Sequence, residues 1–235
     1  MTPSYIIPGA ERGGIFVVIA AFNEEKVLAE TIADVARVTR NIVVVDDCST
    51  DLTSAIAQAC GAHVIRHPIN LGQGAALQTG IEYAALLGAD YIVTFDADGQ
   101  HCADEILPMV EALKQRDVDI ALGSRFLGGV KNLPRSRRLV LKLAIKFTQW
   151  TGGGRFTDVH NGFRVMSRRF FTHFKFDQNR MAHASEILKY IAANKIPYIE
   201  FPTTVTYSQY SLEKGQSNAN ALRIIMELLL KRVSR

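Results

Sequence analysis

Short apolar runs recur along the first half of this chain, at Ile15 to Ala21, Ile42 to Val45, His63 to Arg66 and Tyr91 to Phe95, with helical periodicity between them. They are too short for helices and largely β-branched, so they read as strands. Between the first two, Val27, Leu28, Ile32, Val35 and Val38 fall near one helical face; further helices are expected from Leu52 to Ala59 and from Ala75 to Leu87. A helix near Asp104 to Lys114 and a strand near Val118 to Leu122 continue the alternation. Strands joined through helices pair in parallel by right-handed crossovers, and such a sheet is covered on both faces. The fold class is therefore α/β, a mainly parallel, Rossmann-like sheet flanked by helices. A chain of 235 residues suits a single domain spanning 1–235.

In such sheets ligands bind beyond the carboxyl ends of the strands. There this sequence places its acids: Asp46-Asp47-Cys48-Ser49-Thr50-Asp51 after the second strand and Asp96-Ala97-Asp98-Gly99-Gln100-His101 after the fourth. Two aspartates one residue apart put both carboxylates on one side of an extended chain or at the lip of a turn, where their repulsion calls for a cation. A hard divalent ion, Mn²⁺ or Mg²⁺, takes such ligands and fills its remaining positions with water and substrate phosphates. The plainer alternative is a pair of solvated loop acids before the helix near Asp104.

Charge is distributed unevenly. From Ile120 to Thr157 there is no Asp or Glu, while Arg125, Lys131, Arg135, Arg137, Arg138, Lys142, Lys146 and Arg155 all fall there, which implies an anionic partner. Within the block, Leu139, Val140, Leu143, Phe147 and Trp150 recur at helical spacing beside a basic stripe of Arg135, Arg138, Lys142 and Lys146. Such a basic amphipathic helix suits either a membrane surface or packing against the core with a solvated basic face. No nucleic acid partner is expected, because the block lacks repeated aromatic platforms. The three cysteines, Cys48, Cys60 and Cys102, have no CxxC spacing, which points to a reducing compartment. With no signal-like start and no bilayer-length apolar run, the expected location is cytoplasmic, without its own anchor.

Gly72-x-Gly74 precedes a helix and so offers a phosphate cradle, but its spacing fits neither common nucleotide fingerprint, and a tight turn under the site is the stronger reading. His160 and His183 are candidate ligands or proton carriers, more simply read as hydrogen-bonding residues. A helix near Ala184 to Ala193, a strand near Ile199 to Tyr207 and a C-terminal helix from about Ala219 to Arg232 complete the chain.

Six segments in order resemble the family 2 glycosyltransferases of the GT-A fold, especially the dolichyl- or polyprenyl-phosphate mannosyl- and glucosyltransferases. Ala20-Ala21-Phe22-Asn23-Glu24 stands for P-x-Y-N-E, Val45 to Asp51 for V-D-D-G-S-x-D, and Asn70 to Gly74 for N-x-G-x-G. Asp96 to His101 stands for D-A-D-x-Q-H, Gly123-Ser124-Arg125 for G-x-R, and Asn161-Gly162-Phe163-Arg164 for S-G-F-R. The resemblance implies that Asp96 and Asp98 hold the metal. It implies a nucleoside diphosphate sugar, UDP- or GDP-linked, in a pocket lined by Ala20, Phe22, Glu24, Val45 and Asp47. Asp47 would accept from the base edge, and Ala97, Gln100 and Arg125 would lie by the sugar and phosphates. Asp158 matches an acid of the polyprenyl-phosphate enzymes, and Glu186 is the other candidate for activating or orienting the acceptor, with Arg125 beside them. By this likeness residues 14–125 bind the donor and 126–235 face a polyprenyl-linked acceptor at the cytosolic membrane face.

Two departures stand out. Ala20 replaces the family's proline, and the phosphate-gripping arginine-x-x-glycine-x-serine-lysine pattern gives way to Tyr207 to Ser217, where Lys214 supplies a cation on the other side of the glycine. That segment looks closer to bacterial enzymes of surface-polysaccharide assembly. Two other functions compete: a sugar nucleotidyltransferase, for which Glu11-Arg12-Gly13-Gly14 is a poor triphosphate loop, and a non-catalytic nucleotide-sugar-binding subunit.

Overall fold

Alternate residues of the central strands face opposite ways, and in this chain both sets are apolar. Phe16, Val18, Val43, Val45 and Ile92 join one core cluster, while Val17, Ile19, Ile42, Val44, Val93 and Phe95 join another. A sheet with two greasy faces must be covered twice. In the computed structural model the described residues are 13–132, 154–179 and 183–207, with Arg138, Leu139, Leu141, Leu143, Ile145, Lys146, Gln149 and Tyr210.

Strands β1 (Ile15–Ala21), β2 (Ile42–Asp46), β3 (His63–Arg66) and β4 (Tyr91–Asp96) are linked by helices α1 (Leu28–Ala36), α2 (Thr53–Ala59) and α3 (Gln73–Leu86). A short 3₁₀ turn and α4 (Ile106–Gln115) lead to β5 (Ile120–Lys131). Then follow β6 (Arg164–Ser167), the single turn α5 (Arg168–Phe171), α6 (His183–Asn194) and β7 (Tyr198–Thr206). The sheet order is β3-β2-β1-β4-β6-β5-β7. All pairings are parallel except those of β6, which runs antiparallel between β4 and β5. Helices α3 and α6 cover one face; α1 and α4 cover the other through Leu28, Ile32, Val35, Ile106, Met109 and Leu113.

Most expected elements lie within two residues of their observed bounds. β6 was not among them, and β5 extends well past Leu122, through an irregularity between Ser124 and Gly129 where its pairing to β7 shifts register. The bulge lifts Arg125 out of the ladder and re-aims it, as bulges beside sites commonly do. The helix expected from Leu139 is helical where described; Ile145 packs on the core while Leu139 and Leu143 are exposed beside the exposed Arg138 and Lys146. Val140, Lys142, Phe147 and Trp150, the C-terminal helix and Lys214 lie outside the described residues.

Candidate active site

The loops after β1 and β2 are laced to each other by hydrogen bonds. Asn23 N–H donates to Ser49 Oγ at 2.9 Å, Thr50 N–H to Asn23 Oδ1 at 2.9 Å, and Glu24 N–H to Thr53 Oγ1 at 2.8 Å. Asn23 (φ 54°) and Cys48 (φ 66°) adopt the left-handed region to make these turns. The family's glycine at the Cys48 position has a physical reason, since glycine enters that region without strain. Glu24 is nearly buried and accepts from the Tyr210 hydroxyl at 3.0 Å, so Tyr210 reaches this corner. Phe22 is exposed.

Asp47 faces inward. Its carboxylate accepts from Leu71 N–H at 2.9 Å, Gly72 N–H at 2.6 Å and His67 Nδ1 at 2.8 Å, while His67 Nε2 meets Thr79. It therefore pins the turn in which Gly72 takes φ 101°. Val45 is entirely in the core beneath α3, paired on both sides in the sheet. The start of α3 is closed as well. Gly74 and Ala75 N–H both donate to Asn179 C=O, at 2.8 and 3.3 Å, and a Cβ on Gly74 would strike the Gln178 carbonyl. The glycines thus serve close backbone approach, and the first free N–H groups of the helix already have a partner.

Gln73, between the two glycines, reaches the acids: its Nε2 donates to Asp96 Oδ1 at 3.3 Å. His101 Nε2 lies 2.9 Å from Asp96 Oδ2. Gly162 sits against the same carboxylate, where a Cβ would come within 2.6 Å of Asp96 Cγ. Burial disfavours ionisation of Asp96, but the His101 hydrogen bond and the charges of His101, Arg164 and His183 outweigh it and hold this carboxyl below its usual range. Asp98 shows the opposite. Burial and the neighbouring negative charges of Asp96 and Glu24 push it up to about 6, against the pull of His101 and the Gln100 N–H. Its oxygens accept from Gln100 N–H at 3.2 Å and Gln100 Nε2 at 2.6 Å.

Asp96 is matched by nearby cations, whereas Asp98, resisting ionisation beside it, is short of positive charge. Asp96 and Asp98 are the pair that could hold a divalent ion, and the donor chemistry fits one. Among the described residues no three His, Cys, Asp or Glu side chains are grouped around a common ion position, so water and phosphate oxygens would complete the shell. The loop is held on two sides. Thr31 Oγ1 of α1 donates to Ala97 C=O at 3.0 Å, while Thr206 N–H of β7 donates to Gln100 C=O and Thr204 N–H to Glu105, both at 2.9 Å.

Arg125 and Asp158 form a buried pair. Arg125 donates from both N–H and Nε to Asp158 Oδ2, at 3.1 and 2.6 Å, and from Nη1 to the Tyr207 hydroxyl at 2.6 Å. Burial would discharge Arg125, but Asp158 and Tyr207 more than offset it. Glu186 is turned to the backbone, accepting from Asp177 and Gln178 N–H at 3.1 Å each, and so holds the segment whose next residue closes α3.

Sequence reasoning quoted His101, Arg164, Gln73, His67 and Tyr207 within motifs or segments without giving them roles. Arg164 lies buried within the fields of both Asp96 and Asp158. Desolvation pushes it down to about 10 against those two charges, and it remains a cation at neutral pH. Gly13 and Gly14 lie at the opposite, amino end of β1, with Gly14 N–H bound to Asp90, far from any phosphate role beside these acids.

The gap at Gly162 yields a prediction. Gly162→Ala would force Asp96 out of its place between Gln73 and His101, so a divalent ion held by the Asp96–Asp98 pair would bind at least tenfold more weakly, measured by calorimetry, with the helical content unchanged.

Residues 16–174 match the family described as Glycosyl transferase family 2. An uncharacterised protein of Methanocaldococcus jannaschii is 35% identical over 93% of this chain and 92% of its own length. The UDP-N-acetylglucosamine–dolichyl-phosphate N-acetylglucosaminyltransferase of Methanococcus voltae is 29% identical over 94% and 97%. In fold, glucosyl-3-phosphoglycerate synthase of Mycobacterium tuberculosis, crystallised with Mn²⁺, UDP and phosphoglyceric acid, superposes with a TM-score of 0.67 over 91% of this chain and 78% of that one, at 18% identity. With most of its sheet and both acid-bearing loops inside the matched span, this chain belongs to the family 2 glycosyltransferases.

Proposed function

We propose that this glycosyltransferase moves a sugar from a UDP- or GDP-linked donor to a polyprenyl phosphate, with inversion at the anomeric carbon. The observation that carries the donor side is the Asp96–Asp98 pair, one acid charged and the other lifted to about 6 at the tip of β4. A bound Mn²⁺ or Mg²⁺ supplies Lewis-acid neutralisation of the departing diphosphate. In this reading Asp96 and Asp98 hold that ion, the backbone beside Ala20 and Val45 and the side chains of Phe22, Glu24 and Asp47 shape the nucleoside pocket, and Ala97, Gln100 and Lys214 flank the sugar diphosphate. Residues 14–125 serve the donor and 126–235 the acceptor.

The acceptor side rests on what the two other acids do. Asp158 and Glu186 are both engaged by hydrogen-bond donors of the protein. That suits an acceptor which arrives as an anion and needs orienting, not deprotonating. The acceptor phosphate oxygen attacks the anomeric carbon, the bond from that carbon to the diphosphate oxygen breaks, and the nucleoside diphosphate leaves. Arg125, kept charged by Asp158, supplies a fixed cation for phosphate. The relative from Methanococcus voltae, named for a UDP-sugar and a dolichyl phosphate, supports this choice. No helix among the described residues is long and apolar enough to cross a membrane. The exposed Leu139 and Leu143 beside Arg138 and Lys146 would rest on the cytosolic membrane face, where the acceptor's phosphate lies.

The test is a panel of UDP- and GDP-sugars with Mn²⁺, read first by thermal shift. A ligand at a hundred times its Kd stabilises the fold by about 2.7 kcal/mol. The stabilising donor should then convert polyprenyl phosphate to a glycosyl phosphate of inverted configuration by NMR. Transfer only to a hydroxyl of a polyprenyl-linked glycan would overturn the acceptor assignment. Metal-dependent donor binding without transfer to either acceptor would leave a binding subunit in its place.

A further inference from the structure

His101 has one polar partner and a rigid seat. Its side chain is 2% exposed, against 30% for Asp96. The ring lies edge-on to Phe95 at 5.5 Å and tilted to Phe163 at 5.5 Å, so aromatic contacts from two strands' ends fix its plane. The backbone just before it is fixed too, since Gln100 C=O accepts from β7. Its Nε2 meets Asp96 Oδ2 at 2.9 Å, and among the described residues its buried Nδ1 has no hydrogen-bond partner. A proton relay needs a second partner, which the described residues do not give this ring. A carboxylate can only accept, so the proton of that contact sits on Nε2. Asp96 is then gripped at both oxygens, by His101 from the loop after β4 and by Gln73 from the start of α3, with Gly162 leaving room for it.

Resting on the reading of Asp96 and Asp98 as the metal-holding pair, we infer that His101 is a positioning residue, acting through Asp96 to set ion affinity without touching substrate. Partners of this kind orient a ligating carboxylate, and their loss typically costs 10–100-fold in metal affinity. An interaction made equally in the bound ground state and the transition state changes binding more than turnover. The effect should therefore fall on the Mn²⁺ dissociation constant and the donor KM, with kcat changed less than either.

The experiment compares three variants in the full chain. His101→Gln keeps an N–H near the position of Nε2; His101→Asn is polar but too short to reach Asp96; His101→Phe keeps the ring and loses the donor. Mn²⁺ binding to each is measured without donor by electron paramagnetic resonance, alongside melting temperature and steady-state kinetics. His101→Asn and His101→Phe should bind Mn²⁺ at least tenfold more weakly, and His101→Gln within about threefold of the parent. Should His101→Phe fail to fold, the Gln and Asn pair decides alone. Equal Mn²⁺ affinity in Gln and Asn variants, or losses in kcat and KM that merely track melting temperature, would overturn the inference. Asp98→Asn separates the two claims. If the parent protein binds no Mn²⁺, the metal reading itself fails; if Asp98→Asn loses the ion while the His101 variants keep it, only the role of His101 fails.

Discussion

Asp98→Ala is expected to leave a folded protein that transfers no measurable sugar, with kcat/KM down by at least about a thousandfold, the scale on which one preorganised electrostatic group acts. Circular dichroism and a donor-consumption assay check the two halves of that statement. Retained transfer would remove the ion from the mechanism. The same carboxyl sets a pH dependence of definite sign. In the metal-free protein Asp98 sits at about 6, above the ordinary carboxylate value. Between those two points the folded chain holds a proton that the unfolded chain has released. The contribution of this group to stability is therefore full at low pH and lost as pH rises through 6, to the extent of roughly 3 kcal/mol. Mn²⁺ competes with that proton, so ion affinity should fall tenfold per pH unit below 6. Across pH 4.5 to 7.5 the melting temperature of the metal-free parent should fall relative to that of Asp98→Asn until about pH 6 and keep a constant difference above it; a pH trend shared by both proteins would assign it to other groups.

The second large effect concerns Asp158. Its side chain is 1% exposed and Arg125's is 7%. Removing the acid strands a buried guanidinium, which costs about 3–5 kcal/mol. Asp158→Ala should lower the melting temperature on the order of 10 °C. Asp158→Asn, whose amide oxygen still accepts from Arg125, should lose much less. The kinetic consequence separates two chemistries. If Asp158 holds Arg125 for an anionic acceptor, Asp158→Asn retains a sizeable kcat with a raised acceptor KM. If Asp158 took a proton from a hydroxyl, the same variant would lose kcat by about 10²–10⁴.

The parallel part of the sheet was legible because its strands are uniformly apolar and its crossovers helical, a pattern few folds can use. β6 was not. Arg-Val-Met-Ser has neither length nor alternation, and it is a strand because β4 and β5 leave a gap that it fills in the antiparallel sense, a non-local fact. The long β5 was expected to end near Leu122, and its continuation rests on Gly128 passing against the Thr203 backbone, a contact no local pattern gives. At the site, the position of the acids at strand tips followed from periodicity. Their partners did not: that Asp47 turns to His67 and Gly72, or Glu186 to a backbone segment, depends on which loops meet in space. Motif spacing names which residues belong to a site and says little about which of them face one another.

The strap from β7 to the Gln100–Glu105 loop has a bearing on protein engineering. Its last residues hook the turn that follows Asp96 and Asp98 through Thr206 and Thr204, and the chain then runs directly to Tyr207, the hydroxyl that steadies Arg125. Under the proposed function, donor handling and acceptor choice would therefore share a hinge pin. A chimaera that swaps the C-terminal third between relatives to change what is glycosylated would also disturb the seat of Asp96 and Asp98, unless the graft carries matching residues at 100 to 105.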